Sequence, residues 1–113
     1  MNMLTANQTI LKIGEATPDA RVSILIAGEP FDLGTIGELA MAPDPCDVIV
    51  ETGDKPATVR ELTENLMAYD GEGRVQIFWR VAEDHAVYFE LGAVTSNADG
   101  VWLIAGDFVA DCG

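Results

Sequence analysis

The second half of this chain repeats a pattern of the first half, and this repeat constrains the fold more than any other sequence feature. At an offset of 53 positions, Arg21-Val22 falls on Arg74-Val75. At an offset of 58, Asp32-Leu33-Gly34 falls on Glu90-Leu91-Gly92. Self-similarity at a nearly fixed period is typical of a chain built from copies of one structural unit. The sequence therefore predicts two related units rather than one irregular domain.

Each unit begins with a predicted helix. Thr58 and Glu61 form a T-x-x-E capping box, and apolar residues follow at helical spacing. Thr5 and Gln8 form a T-x-x-Q box near the N-terminus. A strand through residues 9–13 is the competing prediction there, because β-branched residues are frequent in that segment. The matched capping boxes favour the helix.

Three strands are predicted after each helix. Both first strands carry the pattern R-V-x-I and are apolar on both faces, which is typical of buried central strands. The predicted strands are 21–27, 31–37 and 47–52 in the first unit, and 74–81, 86–94 and 100–105 in the second.

The resulting order, αβββ-αβββ, predicts the fold class. One such unit cannot bury a one-faced sheet alone, so the two units are expected to pack together around an approximate dyad. We predict an α+β fold in which two αβββ pseudo-repeats form one two-layer domain. Two helices would pack on antiparallel sheet, arranged as one curved six-stranded sheet or two facing sheets. The domain spans residues 1–113, with pseudo-repeats 4–54 and 57–107.

The charge balance is strongly acidic. Nineteen Asp and Glu against six Lys and Arg give a net charge of −13. Such a field repels nucleic acid and anionic membrane and favours basic partners. We therefore expect no direct nucleic-acid binding and no membrane association. No apolar run approaches the ~20 residues that span a bilayer, and no secretory signal is evident at the start, so a cytoplasmic location is expected.

The residue types that carry out catalysis are sparse. No phosphate-binding glycine motif is present. The single histidine, His85, lies in a predicted turn after Glu83-Asp84, where three adjacent side chains seldom converge on one metal ion. Cys46 and Cys112 stand far apart in the sequence and are predicted to be free thiols. The expectation is a protein that is not an enzyme and has no cofactor and no metal site.

Four short motifs mark the second half: T-V-x-E-L from residue 58, Y-D from 69, V-x-I from 75 and D-G-V-x-L from 99. This series resembles a pattern of small bacteriophage and prophage proteins, in which the third motif is V-x-V. The motifs are structural ones, describing a cap, a helix, a strand, a turn and a strand. The resemblance implies a phage or mobile-element context and action in the host cytoplasm. It implies no catalytic residue.

Acidic residues near the ends of the predicted elements are the candidate partner-binding groups. Carboxylates held at intervals on a rigid scaffold can imitate backbone phosphates, so the leading hypothesis is an anti-CRISPR-like inhibitor of a host nucleic-acid defence system. It would occupy a basic groove of a host protein or nucleoprotein complex. The competing interpretation is that the acids only keep a small protein soluble. The candidates are Asp44, Asp47, Asp70, Glu72, Glu83, Asp84, Asp99 and Asp107.

Other functions remain open at this point. A twofold module could bind a small ligand or nucleotide signal at its pseudo-axis, and Arg21 and Arg74 are the matched basic pair that would meet phosphates. Their competing role is a salt bridge to Asp19 or Glu72. A virion or scaffolding component and a homodimer are further possibilities. Trp79 and Trp102 are expected in the core or on a sheet face.

Overall fold

The computed structural model describes residues 4–38, 48–53, 55–68, 72–97 and 100–112. This part of the chain contains two helices and seven strands, and most of the described residues lie in strands. In chain order the elements are α1 (Ala6–Ile13), β1 (Arg21–Ile26), β2 (Glu29–Glu38), β3 (Val48–Gly53), β4 (Ala57–Thr58), α2 (Val59–Leu66), β5 (Val75–Ala82), β6 (His85–Asn97) and β7 (Gly100–Cys112).

Both helices begin at the predicted threonine. The Thr5 hydroxyl accepts a hydrogen bond from the Gln8 backbone N–H, and Gln8 Oε1 accepts one from the Thr5 backbone N–H at 3.0 Å. Thr58 Oγ1 accepts from the Glu61 backbone N–H at 3.3 Å. The helical prediction is confirmed at both places, and the competing strand through residues 9–13 is wrong. Neither described helix has the length and apolar character that crossing a membrane requires.

The strands form a closed barrel. Within each half they pair as an antiparallel meander, β1 with β2 with β3 and β5 with β6 with β7. Between the halves, β3 pairs with β5 and β7 pairs with β1, both in parallel. These pairings close a ring of six strands, and the two-residue β4 pairs with β1 outside it.

The predicted fold class is therefore wrong. The chain is a mostly β protein, not a two-layer α+β domain with two helices on an antiparallel sheet. Sequence periodicity located the strands but did not show that the edges of the two halves meet. Because those edges pair with each other, the sheet closes into a ring and encloses its apolar face, and the helices cover part of the same core.

The registers of the two halves correspond residue by residue. β1 pairs with β7 through Val22↔Val101, and β5 pairs with β3 through Val75↔Val48. Each residue of the second pairing lies 53 positions from a residue of the first. All four pairs of each parallel ladder are related in this way, and the β1–β2 pairs recur between β5 and β6 at offsets of 53 and 58.

Each helix begins against the other half of the chain. The Ala6 backbone N–H donates to the Gly73 carbonyl at 2.8 Å, and the Val59 N–H donates to the Ala20 carbonyl at 2.9 Å. The two hydrogen bonds correspond to each other, because both their donors and their acceptors are related by an offset of 53 positions. They satisfy N–H groups in the first turn that have no partner within the helix, and they hold both helices against the barrel.

One apolar core fills the barrel and continues beneath the helices. Alternate residues of β1 and β3 are buried, as expected when strands of a closed barrel point successive side chains in and out. The helix residues Ala6, Ile13, Val59, Leu62 and Leu66 belong to the same cluster. Its barrel members include Val22, Ile24, Val48, Val50, Val75, Ile77, Leu91, Val101 and Leu103.

The two halves differ in the length of their first hairpin. Ala27 and Gly28, both with positive φ (51° and 84°), join β1 to β2. The corresponding hairpin of the second half, between β5 and β6, is five residues longer, because the offset between matched residues changes from 53 on its first strand to 58 on its second. β7 runs beside this extension, to the pair Ala86↔Cys112. We call this three-stranded projection, residues 80–88 and 106–112, the arm.

Replacement of Gly100 by alanine should reduce the free energy of unfolding more than any other glycine substitution where β7 pairs with β1 to close the barrel. Gly100 has φ +127°, and a Cβ there would overlap the backbone carbonyl oxygen of Arg21. Gly28→Ala is the matched control, because Gly28 also has positive φ but has open space around it. We expect a loss of about 3 kcal/mol for Gly100→Ala and about 1 kcal/mol for Gly28→Ala. Urea unfolding measures both, and equal losses would contradict the close approach.

Candidate functional site

An open groove of about 410 Å³ lies on the outer surface where β7, β1 and β2 run side by side. Ser23 stands between the buried Val22 and Ile24, so it faces away from the barrel interior. Trp102 is its register partner on β7. The lining residues are Arg21, Ser23, Pro30, Phe31, Asp32 and Trp102.

An ion pair forms part of the groove wall. The Arg21 guanidinium lies 2.5 Å from the Asp32 carboxylate, with side chains 55% and 22% exposed. The lining has no net charge: it combines the hydroxyl of Ser23, one pair of opposite charges, Pro30 and the aromatic residues Phe31 and Trp102, and Phe31 also packs against the core. Such a surface can bind a small polar molecule that has a flat apolar part.

The equivalent surface of the second half is more closed. At offsets of 53 and 58, Gln76 replaces Ser23 and Glu90 replaces Asp32. Gln76 and Glu90 are only 5% and 7% exposed, whereas Ser23 and Asp32 are half-buried. The groove is therefore a feature of one half rather than a duplicated one.

The two arginines of the small-ligand hypothesis do not converge. β1 and β5 are separated by two strands in either direction around the ring, so they form opposite walls of the barrel. Arg21 and Arg74 are exposed, and each precedes an inward-facing valine, which places both on the outside. Arg21 pairs with Asp32 instead of the expected Asp19. At most one of these arginines can contribute to a given ligand site.

Three of the predicted acidic residues belong to the arm. Glu83 and Asp84 form its tip between β5 and β6, and Asp107 lies on β7 near its base; all three are exposed. Glu72 is also exposed but lies before β5, at the opposite end of that strand. Asp44, Asp47, Asp70 and Asp99 lie outside the described residues, as does Cys46.

Basic side chains are repeatedly paired with acids of the same chain. Besides the Arg21–Asp32 pair, Arg60 lies 3.7 Å from Asp19. Arg80 lies 3.8 Å from Glu51, and its guanidinium is 5.2 Å from the centre of the Phe78 ring. At least three of the six basic residues therefore have a nearby carboxylate, and the net charge of −13 leaves the outward field dominated by the acids.

A row of aromatic rings leads from the barrel to the arm. The ring centres of Phe31 and Trp79 are 5.6 Å apart, those of Trp79 and Phe89 6.5 Å, and those of Phe89 and Phe108 6.4 Å. Phe108, at the end of the row, is 60% exposed. Trp79 and Phe89 pack against the core, whereas Tyr88 lies on the opposite face of β6.

In addition to Phe108, other apolar side chains of the arm are exposed. Val109 follows it on β7, 40% exposed, and Val81 on β5 is 47% exposed. Val81 lies within the predicted strand 74–81 but was not singled out. Sequence reasoning missed Phe108 and Val109, since the strand predicted from residue 100 ended at 105. The signal that could have found them is the apolar pair Phe108-Val109 bounded by Asp107 and Asp111, which lies beyond the last residue matched by the internal repeat.

No protein-family model, curated protein or solved structure matches this chain. Within the described ranges, no three His, Cys, Asp or Glu side chains form a group that could hold a metal ion.

The Arg21–Asp32 pair should make a small but measurable contribution to stability. A double-mutant cycle with Arg21→Gln and Asp32→Asn is expected to give a coupling free energy of about 0.5–1 kcal/mol, because Asp32 is largely screened from water. The control cycle uses Arg60 and Asp19, which are 60% and 86% exposed and 3.7 Å apart. That cycle should give no measurable coupling, and equal couplings would show that the groove pair is not special.

Proposed function

We propose that this protein acts by binding, through its acidic surface, a basic host protein or nucleoprotein complex, and that it is not an enzyme. Its most concrete form is an inhibitor of a host nucleic-acid defence system, of the anti-CRISPR kind. The inhibitor would occupy a basic groove that otherwise receives DNA or guide RNA. The phage-like motif series of the second half supports this context.

The observation that carries the proposal is the combination of a net charge of −13 with basic residues that are paired internally. A basic groove would meet a surface on which at least three of the six basic side chains lie close to a carboxylate of the same chain. Long-range attraction between such surfaces accelerates association and orients the encounter. The same net negative charge argues against nucleic acid as the direct partner, because two polyanions repel.

The arm is the part of the surface best suited to first contact. It presents the exposed Phe108 and Val109 next to Asp107, and its tip carries the carboxylates of Glu83 and Asp84. Stable protein interfaces combine a small apolar, often aromatic centre with polar groups at the rim. On this arm the charged groups are acidic, so a basic partner is favoured over a neutral one.

Removing acidic charge from the arm should weaken partner binding more than removing it from α2 and the turn that follows α1. The arm variant carries Glu83→Gln, Asp84→Asn and Asp107→Asn, and the control variant carries Glu15→Gln, Glu61→Gln and Glu64→Gln, which remove the same charge elsewhere. Against a panel of guide-loaded CRISPR effector complexes, the arm variant should lose at least about tenfold in affinity, equivalent to about 1.4 kcal/mol, and the control about threefold or less.

Ionic strength provides the test of the electrostatic basis. Titrations of the unmodified protein should show weaker binding as sodium chloride rises, because counterions screen charges beyond about 10 Å at 0.1 M. Binding of equal strength at low and high salt would reject the proposal. Equal losses from both triple variants would keep the charge argument but remove the arm from it.

A second candidate function rests on the groove. Its ion pair, its hydroxyl and the aromatic Trp102 suit a small ligand with a planar ring and polar edges. A nucleotide signal belongs to this class, although only Arg21 of the predicted arginine pair lines the groove.

A nucleotide panel separates this candidate from the first. A ligand that binds only the folded protein should raise Tm increasingly as its concentration exceeds its Kd, and Trp102→Ala should abolish the shift. Ile49→Ala is the matched control, because Ile49 lies 53 positions before Trp102 on the corresponding wall. The absence of any shift across the panel, or an equal loss in both variants, would reject the groove as a nucleotide site.

A further inference from the structure

We propose that the outer edge of β7, residues 106–112, accepts an extended basic segment of the partner as an added β-strand. The inference rests on the proposed function, because it specifies how a basic partner would engage the arm. It adds a backbone-directed mode of recognition that charge alone does not imply.

The first supporting observation is an edge without a strand beside it. β7 pairs with β6 as far as Cys112, but its pairing with β1 covers only residues 101–104. Beyond Ile104, the side of β7 that faces away from β6 has no neighbouring strand in the described part of the chain. A strand in this position presents a row of backbone donors and acceptors to an incoming chain.

The second observation is that the edge is already extended and held in place. The register pairs Tyr88↔Ala110 and Ala86↔Cys112 fix β7 against β6. Phe108 is anchored by the Phe89 ring at 6.4 Å while remaining 60% exposed. Little conformational entropy is therefore lost when a partner strand docks.

The third observation is apolar exposure on the same strand. Phe108 and Val109 are 60% and 40% exposed. A register shift separates the pairs Phe89↔Phe108 and Tyr88↔Ala110, and Val109 is the additional residue of β7 between them. An added strand would therefore find two neighbouring exposed apolar side chains, which supply the side-chain part of recognition by strand addition.

Charge selects the occupant. A second copy of this chain would bring another charge of −13 to the same edge, where Asp107 is already exposed. Like charges on adjacent strands are destabilising and opposite charges stabilising. A segment with lysine or arginine among apolar residues supplies both positive charge for Asp107 and apolar contacts for Phe108 and Val109. A second copy of this chain supplies only the apolar contacts.

The test uses a seven-residue peptide of alternating lysine and valine, and the same peptide with two adjacent central backbone nitrogens methylated, which removes a hydrogen-bond donor from each of its two edges. Both carry the same charge, but only the first can form a full ladder of hydrogen bonds. The unmethylated peptide should bind at least about tenfold more tightly. Hydrogen exchange of the amides of residues 106–112 that face away from β6 should slow on binding, since a new strand would protect them.

Two substitutions test the side-chain contacts. Phe108→Ser removes an exposed ring from the edge, and Met67→Ser removes an apolar side chain of similar exposure, 69%, from the end of α2. Phe108→Ser should weaken peptide binding by at least about fivefold and Met67→Ser should leave it unchanged. Far-ultraviolet circular dichroism of both variants establishes that they fold.

The outcomes distinguish this inference from the proposed function. If both peptides bind equally and the edge amides exchange as before, the acidic surface binds basic partners but the edge proposal is overturned. If neither peptide binds at low salt, both proposals fail. Dimerisation of the free protein with protection of the same amides would assign the edge to a second copy and would also overturn the proposal.

Discussion

The parallel pairing of β1 with β7 and of β3 with β5 is the constraint on which the rest of the structure depends. Each half alone is a three-stranded meander with two unpaired edges. The two parallel ladders use all four edges, so neither half could form its half of the core without the other. A parallel pair cannot be joined by a tight turn, and the β3-to-β5 connection therefore contains β4 and α2. The location of α1 before β1 repeats this arrangement, and both helices begin at backbone carbonyls of the opposite half.

The candidate sites lie where the two halves differ. The ladders that close the barrel are related by an offset of 53 throughout, which shows how strictly closure restricts change. The first hairpin is not restricted in this way, because its far end lies beyond the ring. Five additional residues in the second half extend it into the arm, and β7 lengthens to match. The outer surface differs too: Ser23 and Asp32 line an open groove, whereas their counterparts Gln76 and Glu90 are buried.

Charge and backbone act at different distances in the proposed mode of binding. The net charge of −13 acts over roughly a Debye length, about 8 Å at physiological salt, and selects for basic partners. Hydrogen bonds to the β7 edge act only at contact and select for an extended backbone. Phe108 and Val109 contribute at the same short range through burial of apolar surface. The arm is where these three contributions coincide, with Asp107 beside the two apolar residues.

The sequence alone determined the helices, their caps, the positions of the six barrel strands and the acidity of the surface. These features depend on composition or on neighbours within a few residues. The N-caps Thr5 and Thr58, for example, could be predicted from the local sequence. The tertiary structure alone decided that the sheet closes, that β7 continues to Cys112 with one side unpaired within the described residues, and that Arg21 meets Asp32. The reason is that strand periodicity states which face of a strand is apolar but not which edge lies beside it. Edge partners are chosen by the packing of the whole core, and no local pattern contains that information.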